Sequence, residues 1–173
     1  DGFHIAELGF GSGLNLLAVL KAMREAGVDG VLQFTSFEAF PMEGEAMVRA
    51  QSAFPALQGL ATELAPHWRA GAAEISLPDL HFTLIEGDAR ETLSNWSGQA
   101  DAWFLDGFSP AKNPELWGPS LMAEVGAHTA RGGAAATYSA AGFVRRGLEA
   151  AGFRVERAPG YGRKRHMTRG WKV

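Results

Sequence analysis

A carboxylate stands at the head of a loop rich in glycine and proline. Residues 102–105 form a short apolar run that is typical of a buried strand, and Asp106 follows it directly. In open α/β sheets, the loop after the carboxyl end of a strand is where ligands bind. Asp106 is therefore a candidate for contacting a reacting group. An Asp-Gly pair is equally typical of a turn in which the Asp caps backbone amides.

A glycine-rich loop near the start of the chain joins a predicted strand, residues 3–8, to a predicted helix. Gly9, Gly11 and Gly13 form this loop, and the residues after it carry leucines at helical spacing. Its backbone amides and the helix dipole favour the close approach of a ligand. The spacing departs from the dinucleotide fingerprint G-x-G-x-x-G, and Glu7 would repel a pyrophosphate but suit a cationic amino group. Similar loops also occur as plain strand-to-helix turns.

Two further carboxylates end predicted strands. Glu38 ends the strand predicted over residues 31–37, where a carboxylate can accept hydrogen bonds from both hydroxyls of a ribose. Asp88 follows the strand predicted over residues 80–85, and it is also a candidate N-cap of the next helix. The alternative for Glu38 is a surface carboxylate that only ends its strand. Glu38 and the glycine loop together point to a cofactor that contains a nucleoside.

The composition is that of an ordinary globular chain. Of the 173 residues, 46% are hydrophobic and 20% are charged. No apolar run approaches the roughly 18 residues of a membrane span. The sequence has no cysteine, which excludes disulfides, thiolate metal sites and a cysteine nucleophile. We expect a single, cytoplasmic domain over residues 1–173, without a metal or a membrane contact. Because the chain lacks an initial Met and opens on a strand, we expect a fragment without its N-terminal residues.

Charge is distributed unevenly along the chain. Residues 1–142 carry 7 Lys and Arg against 17 Asp and Glu, whereas residues 143–173 carry 9 against 2, which gives net charges of −10 and +7. A basic segment on an acidic body is typical of a phosphate-binding surface. The alternative is a set of solvated arginines on the last helix and strands.

The order of predicted elements indicates an α/β fold. Strands and helices alternate up to residue 151, and strands predicted over residues 153–158 and 166–173 can pair as an antiparallel hairpin. This order predicts a mostly parallel sheet with helices on both faces.

Two segments of the chain are less regular. Residues 57–68 have helical patches interrupted by Pro66. Residues 120–130 predict a helix, residues 131–133 a turn, and residues 134–139 a strand.

Five motifs, taken together and in this order, resemble the methyltransferase domain of the tRNA 5-methylaminomethyl-2-thiouridine biosynthesis protein family, of the MnmC/MnmD type. They are Glu-Leu-Gly-Phe-Gly-Ser-Gly-Leu-Asn at 7–15, Phe-Glu-Ala-Phe-Pro at 37–41, Gly-Asp-Ala-Arg at 87–90, Phe-Leu-Asp-Gly-Phe-Ser-Pro-Ala-Lys-Asn-Pro at 104–114, and Gly-Tyr-Gly-Arg-Lys-Arg at 160–165. The glycine loop is common to many methyltransferases, whereas the fourth motif is narrow enough to single out this family.

The resemblance implies a Rossmann-like, class I S-adenosylmethionine-dependent methyltransferase that methylates the aminomethyl group of 5-aminomethyl-2-thiouridine at the tRNA wobble position. It implies S-adenosylmethionine as the methyl donor and tRNA as the partner. It further implies a flavin-dependent oxidoreductase, fused or separate, that makes the aminomethyl substrate, and no such domain is expected within these residues. Alternatives are a methyltransferase of the same fold that acts on another amine or base, a nucleotide-binding oxidoreductase, and a non-catalytic tRNA-binding relative.

The residues of these motifs, together with Trp117 just after the fourth, are the expected site residues. Asp106 is expected to be catalytic, by orienting the substrate amine. The expected cofactor residues are Glu7, Gly9, Gly11, Gly13, Asn15, Glu38, Asp88, Ala89 and Asp106. Phe108, Pro110 and Trp117 are expected around the uracil, and Lys112, Arg163, Lys164 and Arg165 at phosphates.

Overall fold

Eight strands and six α-helices lie within residues 2–107, 112–162 and 164–173, the part of the chain that the computed structural model describes. Strands β1 to β8 are His4–Leu8, Leu32–Glu38, Glu74–Leu77, Leu80–Glu86, Ala100–Leu105, Thr129–Thr137, Phe153–Pro159 and His166–Lys172. Helices α1 to α6 are Leu14–Glu25, Gly44–Ser52, Gln58–Arg69, Ala89–Thr92, Pro119–Ala127 and Gly142–Ala150. Short 3-10 helices cover Pro55–Leu57, Leu93–Asn95 and Pro114–Trp117.

The strands form one sheet in the order β3-β4-β2-β1-β5-β6-β8-β7. The pairs among β1, β2, β4, β5 and β6 are parallel, β3 is antiparallel to β4, and β8 is antiparallel to both β6 and β7. The predicted mostly parallel sheet and its terminal hairpin are therefore confirmed. The strand order reverses at β1, since β2 and β4 lie on one side and β5 and β6 on the other. In such sheets, ligands bind at the carboxyl ends of the strands beside this point.

Helices cover both faces of the sheet because successive side chains of each buried strand point to opposite sides. Ile5 of β1 belongs to a core cluster with Leu16 of α1 and Leu64 of α3. The next residue, Ala6, belongs to a second cluster with Leu121 of α5. None of the described helices is long and apolar enough to cross a membrane.

The predicted helix interrupted by proline is a continuous helix. Pro66 lies inside α3, near its carboxyl end. A proline there removes one backbone donor and disfavours helical geometry in the residues before it, yet the helix continues to Arg69. Trp68 follows in the same helix and is 4% exposed, so it packs in the core. The antiparallel edge strand β3, Glu74–Leu77, was not predicted.

The prediction of a helix to residue 130 and a turn at residues 131–133 is wrong. Helix α5 ends at Ala127, and β6 already begins at Thr129. The register between β5 and β6 shifts from Ala100↔Thr129 to Ala102↔Ala134, so the residues between form a bulge-like irregularity inside the strand. The glycines that suggested a turn mark this bulge.

Candidate active site

A cavity of about 810 Å³ opens at the carboxyl edge of the sheet. We call it the central cavity. Its volume lies within the range of small-molecule sites in proteins. Seven of the residues expected from sequence line it, namely Gly9, Gly11, Glu38, Asp88, Ala89, Asp106 and Lys112.

The glycine loop requires residues without a Cβ at two positions. Gly9 has φ 89°, and a Cβ there would lie 2.9 Å from the Cα of Gly107, in the loop after β5. Gly13 has φ 74° at the start of α1, and a Cβ there would lie 2.9 Å from the ring of Phe10. Both are left-handed conformations that other residues rarely adopt. Gly9 therefore lets the loop pack against the segment that follows Asp106, and Gly13 lets the start of α1 pack against Phe10.

Glu7 lies beneath this loop and is 1% exposed. Its Oε1 accepts a hydrogen bond of 2.8 Å from Asn15 Nδ2, and its Oε2 accepts one of 2.7 Å from Ser36 Oγ. Burial raises the pKa of Glu7 to about 8, and the hydrogen bonds from Asn15 and Ser36 oppose this shift. Glu7 supports the floor of the site and does not line the central cavity.

Asn15 joins two carboxylates that come from different strands. Its Nδ2 donates to Glu7 Oε1 and to Asp106 Oδ2, and both hydrogen bonds are 2.8 Å long. Asn15 lies in the first turn of α1, so this amide ties the helix to β1 and to the loop after β5. Like Glu7, Asn15 does not line the central cavity.

The carboxylate of Glu38 is held by backbone amides at the end of β2. Its Oε2 accepts a hydrogen bond of 3.2 Å from the N–H of Gly11, and its Oε1 accepts one of 2.9 Å from the N–H of Phe40. Each oxygen keeps a further lone pair. An ionised carboxylate fixed in this way can accept hydrogen bonds from a pair of hydroxyl groups.

Asp88 is the N-cap of α4 and also lines the central cavity. It accepts a hydrogen bond of 2.9 Å from the N–H of Arg90, and it forms an ion pair with the Arg90 guanidinium. This pairing lowers the pKa of Asp88. The capping role and the cavity-lining position are therefore combined in one side chain, with Ala89 beside it at 5% exposure.

Asp106 lies in a loop that is anchored on two sides. Its N–H donates to the carbonyl of Leu8 at 3.1 Å, and Tyr138 Oη donates to the carbonyl of Gly107 at 2.7 Å. Although Asp106 remains accessible to solvent, desolvation within the cavity raises the pKa of its carboxyl group, and the Asn15 hydrogen bond opposes that shift. The pKa of Tyr138 is raised by desolvation and by the charge of Asp106.

Three exposed cations lie in or close to segments that border the central cavity. Lys112 lines the cavity. Lys164 Nζ lies 5.3 Å from the centre of the Tyr138 ring, which places the β7–β8 turn beside the cavity. Arg165 follows in the same turn. Two other basic residues of the last segment are engaged elsewhere. Arg169 forms an ion pair with Glu156, and Lys172 Nζ donates to the carbonyl of Ala151.

Trp117 is placed differently from the expectation. It is 2% exposed and belongs to the core cluster beneath α5, where its ring meets Tyr138 edge-on at 6.4 Å. In this position it offers no open face to a base, and it packs behind a residue that lines the cavity. Phe108, Pro110 and Arg163 lie outside the described residues.

Comparison with known proteins identifies the family. The sequence model of a family described as S-adenosyl-L-methionine-dependent methyltransferase matches residues 55–173, which is more than half of the chain. The chain belongs to this family. This methyltransferase is 48% identical to the tRNA 5-methylaminomethyl-2-thiouridine biosynthesis bifunctional protein MnmC of Hahella chejuensis, over 97% of its own length. It is 46% identical to the MnmC protein of Caulobacter vibrioides over 98% of its length. The resemblance inferred from the motifs is confirmed.

The solved structure of MnmC2 from Aquifex aeolicus is similar to this methyltransferase. The TM-score is 0.79 at 30% sequence identity, and the match covers 97% of this chain and 52% of that one. The chain spans 28% of the length of the Hahella relative and 30% of the Caulobacter relative. The Rossmann-like methyltransferase fold predicted from the motifs is confirmed.

Sequence reasoning missed part of the wall of the methyltransferase site. Tyr138, Arg90 and Phe40 line the central cavity, but none was predicted to do so. For Tyr138 a signal exists, because it follows the strand next to β5 and the carboxyl ends of parallel strands share one edge. Arg90 and Phe40 lie within two residues of predicted site residues, and only the folded loops reveal that they face the cavity.

Proposed function

We propose that this methyltransferase transfers a methyl group from S-adenosylmethionine to the aminomethyl nitrogen of 5-aminomethyl-2-thiouridine at the wobble position of tRNA. The product is 5-methylaminomethyl-2-thiouridine. The single observation that carries the proposal is the position of Asp106, whose carboxylate faces the same cavity as the glycine loop.

The chemistry of the cavity residues fits the donor. The carboxylate of Glu38 suits the two ribose hydroxyls, and Asp88 suits the amino group of adenine. A Cβ on Gly11 would meet no atom within 4 Å, so the backbone of the loop is open to a ligand on that side. When bound, S-adenosylmethionine supplies an electrophilic methyl group on a sulfonium.

Asp106 is placed to act on the acceptor amine. Methyl transfer is an in-line displacement in which a nitrogen–carbon bond forms as a carbon–sulfur bond breaks, so the nitrogen lone pair must point at the methyl group. A primary amine is mostly protonated near neutral pH and must lose a proton before it can attack. A hydrogen bond to Asp106 orients the neutral amine, and its carboxylate can accept the proton that the nitrogen gives up.

The exposed cations beside the cavity suit a nucleic acid. Lys112, Lys164 and Arg165 would contact phosphates next to the base that enters the cavity between Asp106 and Tyr138. Enzymes that modify a nucleobase flip it out of the stacked RNA. A pocket next to a positively charged surface can hold the flipped nucleobase while the cations contact the neighbouring phosphates. A tRNA substrate also implies that the protein acts in the cytoplasm.

The second activity of the MnmC relatives suggests a partner. Those relatives are named bifunctional, and this chain matches less than a third of their length. We propose that a flavin-dependent oxidoreductase, on the same or another polypeptide, produces the aminomethyl substrate.

The test measures transfer of a labelled methyl group from S-adenosylmethionine into tRNA that bears the aminomethyl uridine. A parallel reaction uses tRNA that is already methylated, and digestion followed by nucleoside analysis identifies the product. We expect label in 5-methylaminomethyl-2-thiouridine with the first tRNA and none with the second. Label in a different nucleoside would assign another acceptor, and cofactor binding without transfer would favour a non-catalytic relative.

A further inference from the structure

The amide of Asn15 has no donor left for a ligand. Its nitrogen carries two hydrogens, one directed to Glu7 Oε1 and the other to Asp106 Oδ2, at 2.8 Å each. The side chain also lies outside the lining of the central cavity. The N–H₂ group of Asn15 is therefore not available to donate a hydrogen bond to the methyl donor.

We infer that Asn15 is a positioning residue that fixes the rotamer and the free oxygen of Asp106. This inference rests on the proposed function, in which Asp106 receives the substrate amine. It assigns to Asn15 a part in methyl transfer and none in donor affinity.

The anchor of Asn15 is rigid. Glu7 is 1% exposed in β1, and its second oxygen is held by Ser36. The start of α1 is fixed as well, because Gln51 Nε2 donates to the carbonyl of Ser12 at 2.8 Å. Asn15 is therefore held at both ends, by the Glu7 carboxyl group and by the start of α1. Its second hydrogen bond then holds the Asp106 carboxylate in one position.

Asn15 leaves one oxygen of Asp106 for the substrate. Among the residues that the structure describes, Asn15 alone donates to the Asp106 carboxylate, and it does so at Oδ2. The other oxygen, Oδ1, is available to accept a hydrogen bond from the amine. Positional errors of about 1 Å at a reacting group can reduce a rate about 100-fold, so a fixed rotamer affects catalysis directly.

Asn15 also acts on the ionisation of Asp106. Its N–H favours the carboxylate form, against the desolvation that raises the pKa of Asp106. Among the residues that the structure describes, Glu7, Asn15 and Tyr138 have titratable or polar side chains near this carboxylate, and Lys112 lines the same cavity. Removal of Asn15 should therefore raise the pKa of Asp106, so that a smaller fraction of this carboxyl group is ionised at neutral pH.

The experiment compares Asn15→Ala with Asn95→Ala in the full chain. Asn95 is an exposed asparagine whose Nδ2 donates to a carbonyl within its own helical segment. Three quantities are measured: the Kd of S-adenosylmethionine by calorimetry, kcat and KM for the tRNA, and the titration of Asp106 by carboxyl ¹³C NMR, assigned with Asp106→Asn. For Asn15→Ala we expect kcat to fall about 10- to 100-fold while the donor Kd changes less than about threefold. The Asp106 titration should move to higher pH, and Asn95→Ala should match the parent chain.

Two results would overturn the inference. One is a tenfold or larger loss of donor affinity with kcat preserved at saturating donor, which would make Asn15 a cofactor residue. The other is an Asp106 titration that does not move in Asn15→Ala. If Asn15→Ala does not fold, Asn15→Ser is measured instead, since its shorter side chain cannot bridge both carboxylates. The NMR titration needs no turnover, so failure of the inference is distinguishable from failure of the proposed tRNA substrate.

Discussion

Glu7 Oε2 accepts a hydrogen bond of 2.7 Å from Ser36 Oγ, across strands in which these two residues are direct register partners. Both side chains are buried, at 1% and 0% exposure. A buried carboxyl group with two neutral donors can be held in either protonation state, but burial favours the neutral one. The pKa of Glu7 is therefore about 8 in the folded protein, whereas the ordinary value for a glutamate is 4.5.

Stability without ligand should decrease between pH 4.5 and about 8 because of Glu7. The folded state binds a proton at Glu7 more tightly than the unfolded state, so raising the pH through this window favours unfolding. The upper bound on the loss is ~5 kcal/mol, and entry of water into the opened site reduces it. Urea unfolding at several pH values across the window measures the effect.

Glu7→Gln should flatten this dependence, since glutamine is neutral throughout and its carbonyl can still accept from Asn15. Glu86→Gln, at an exposed glutamate, is the matched control and should keep the decrease. An identical pH dependence in Glu7→Gln and in the parent chain would show that the buried carboxyl group is not its source.

Glu38→Gln should weaken binding of S-adenosylmethionine by about 10- to 100-fold, which is the value of about one hydrogen bond to a charged group. The side-chain N–H₂ group of glutamine would face the backbone N–H of Gly11 or of Phe40, which places two donors together. Glutamine would also lack the charge that favours the ribose hydroxyls. Glu86→Gln is a control at the register partner of Glu38 on β4. Calorimetry on the three proteins checks the prediction, and equal Kd values would remove Glu38 from the donor site.

The parallel core of the fold could be predicted because each strand is a short apolar run followed by a turn signal. The strand β3 has too few apolar residues to stand out, with only Ile75 fully buried in four positions. The bulge in β6 was mistaken for a turn, since Gly132 and Gly133 are equally suited to both. Local composition does not distinguish them, and only the pairing with β5 does.

The carboxylates of the site could be predicted because each follows a strand. The side chains that hydrogen-bond to these carboxylates could not be predicted. The contact between Asn15 and Asp106 joins residues 91 positions apart, and it depends on how α1 sits against the sheet. For Trp117, chemistry suggested a base-stacking residue, but a large aromatic side chain fits equally well in the core that the structure gives it.

Asp106→Asn should reduce methyl transfer about 100- to 10,000-fold, the usual contribution of a positioned acid or base. The amide can still accept from Asn15, so the loop should keep its place, but its other end becomes a donor that cannot take a proton from the amine. Donor affinity should change less than about threefold. Single-turnover transfer and calorimetry measure the two effects, and a variant with parental rates would exclude Asp106 from catalysis.

The double substitution of Lys164 and Arg165 by alanine should weaken tRNA binding and reduce its salt dependence. Each lost phosphate contact lowers the slope of log K against log salt by about 0.7 to 0.9. Arg154→Ala is the control, because this exposed arginine lies at the start of β7, at the opposite edge of the sheet from the cavity. Binding is measured at several salt concentrations. A slope equal to that of the parent chain would place the phosphate contacts elsewhere.

Tyr138→Phe should slow methyl transfer without affecting the donor. The hydroxyl of Tyr138 donates to the carbonyl of Gly107, the residue next to Asp106, and this bond helps to hold the loop at its second anchor. Loss of one such hydrogen bond costs about 1 kcal/mol, and we expect kcat to fall about threefold to tenfold as the loop becomes less well placed. The ring remains, so its contacts with Trp117 and Lys164 persist.

The control for Tyr138→Phe is Tyr161→Phe, which removes the same hydroxyl from a side chain that is 95% exposed. It should leave kcat unchanged. Tyr138→Ala should cost more than Tyr138→Phe, because it also removes the ring that forms part of the cavity wall. If Tyr138→Phe retains parental kcat while Tyr138→Ala does not, the ring positions the substrate and the anchor at Gly107 is dispensable.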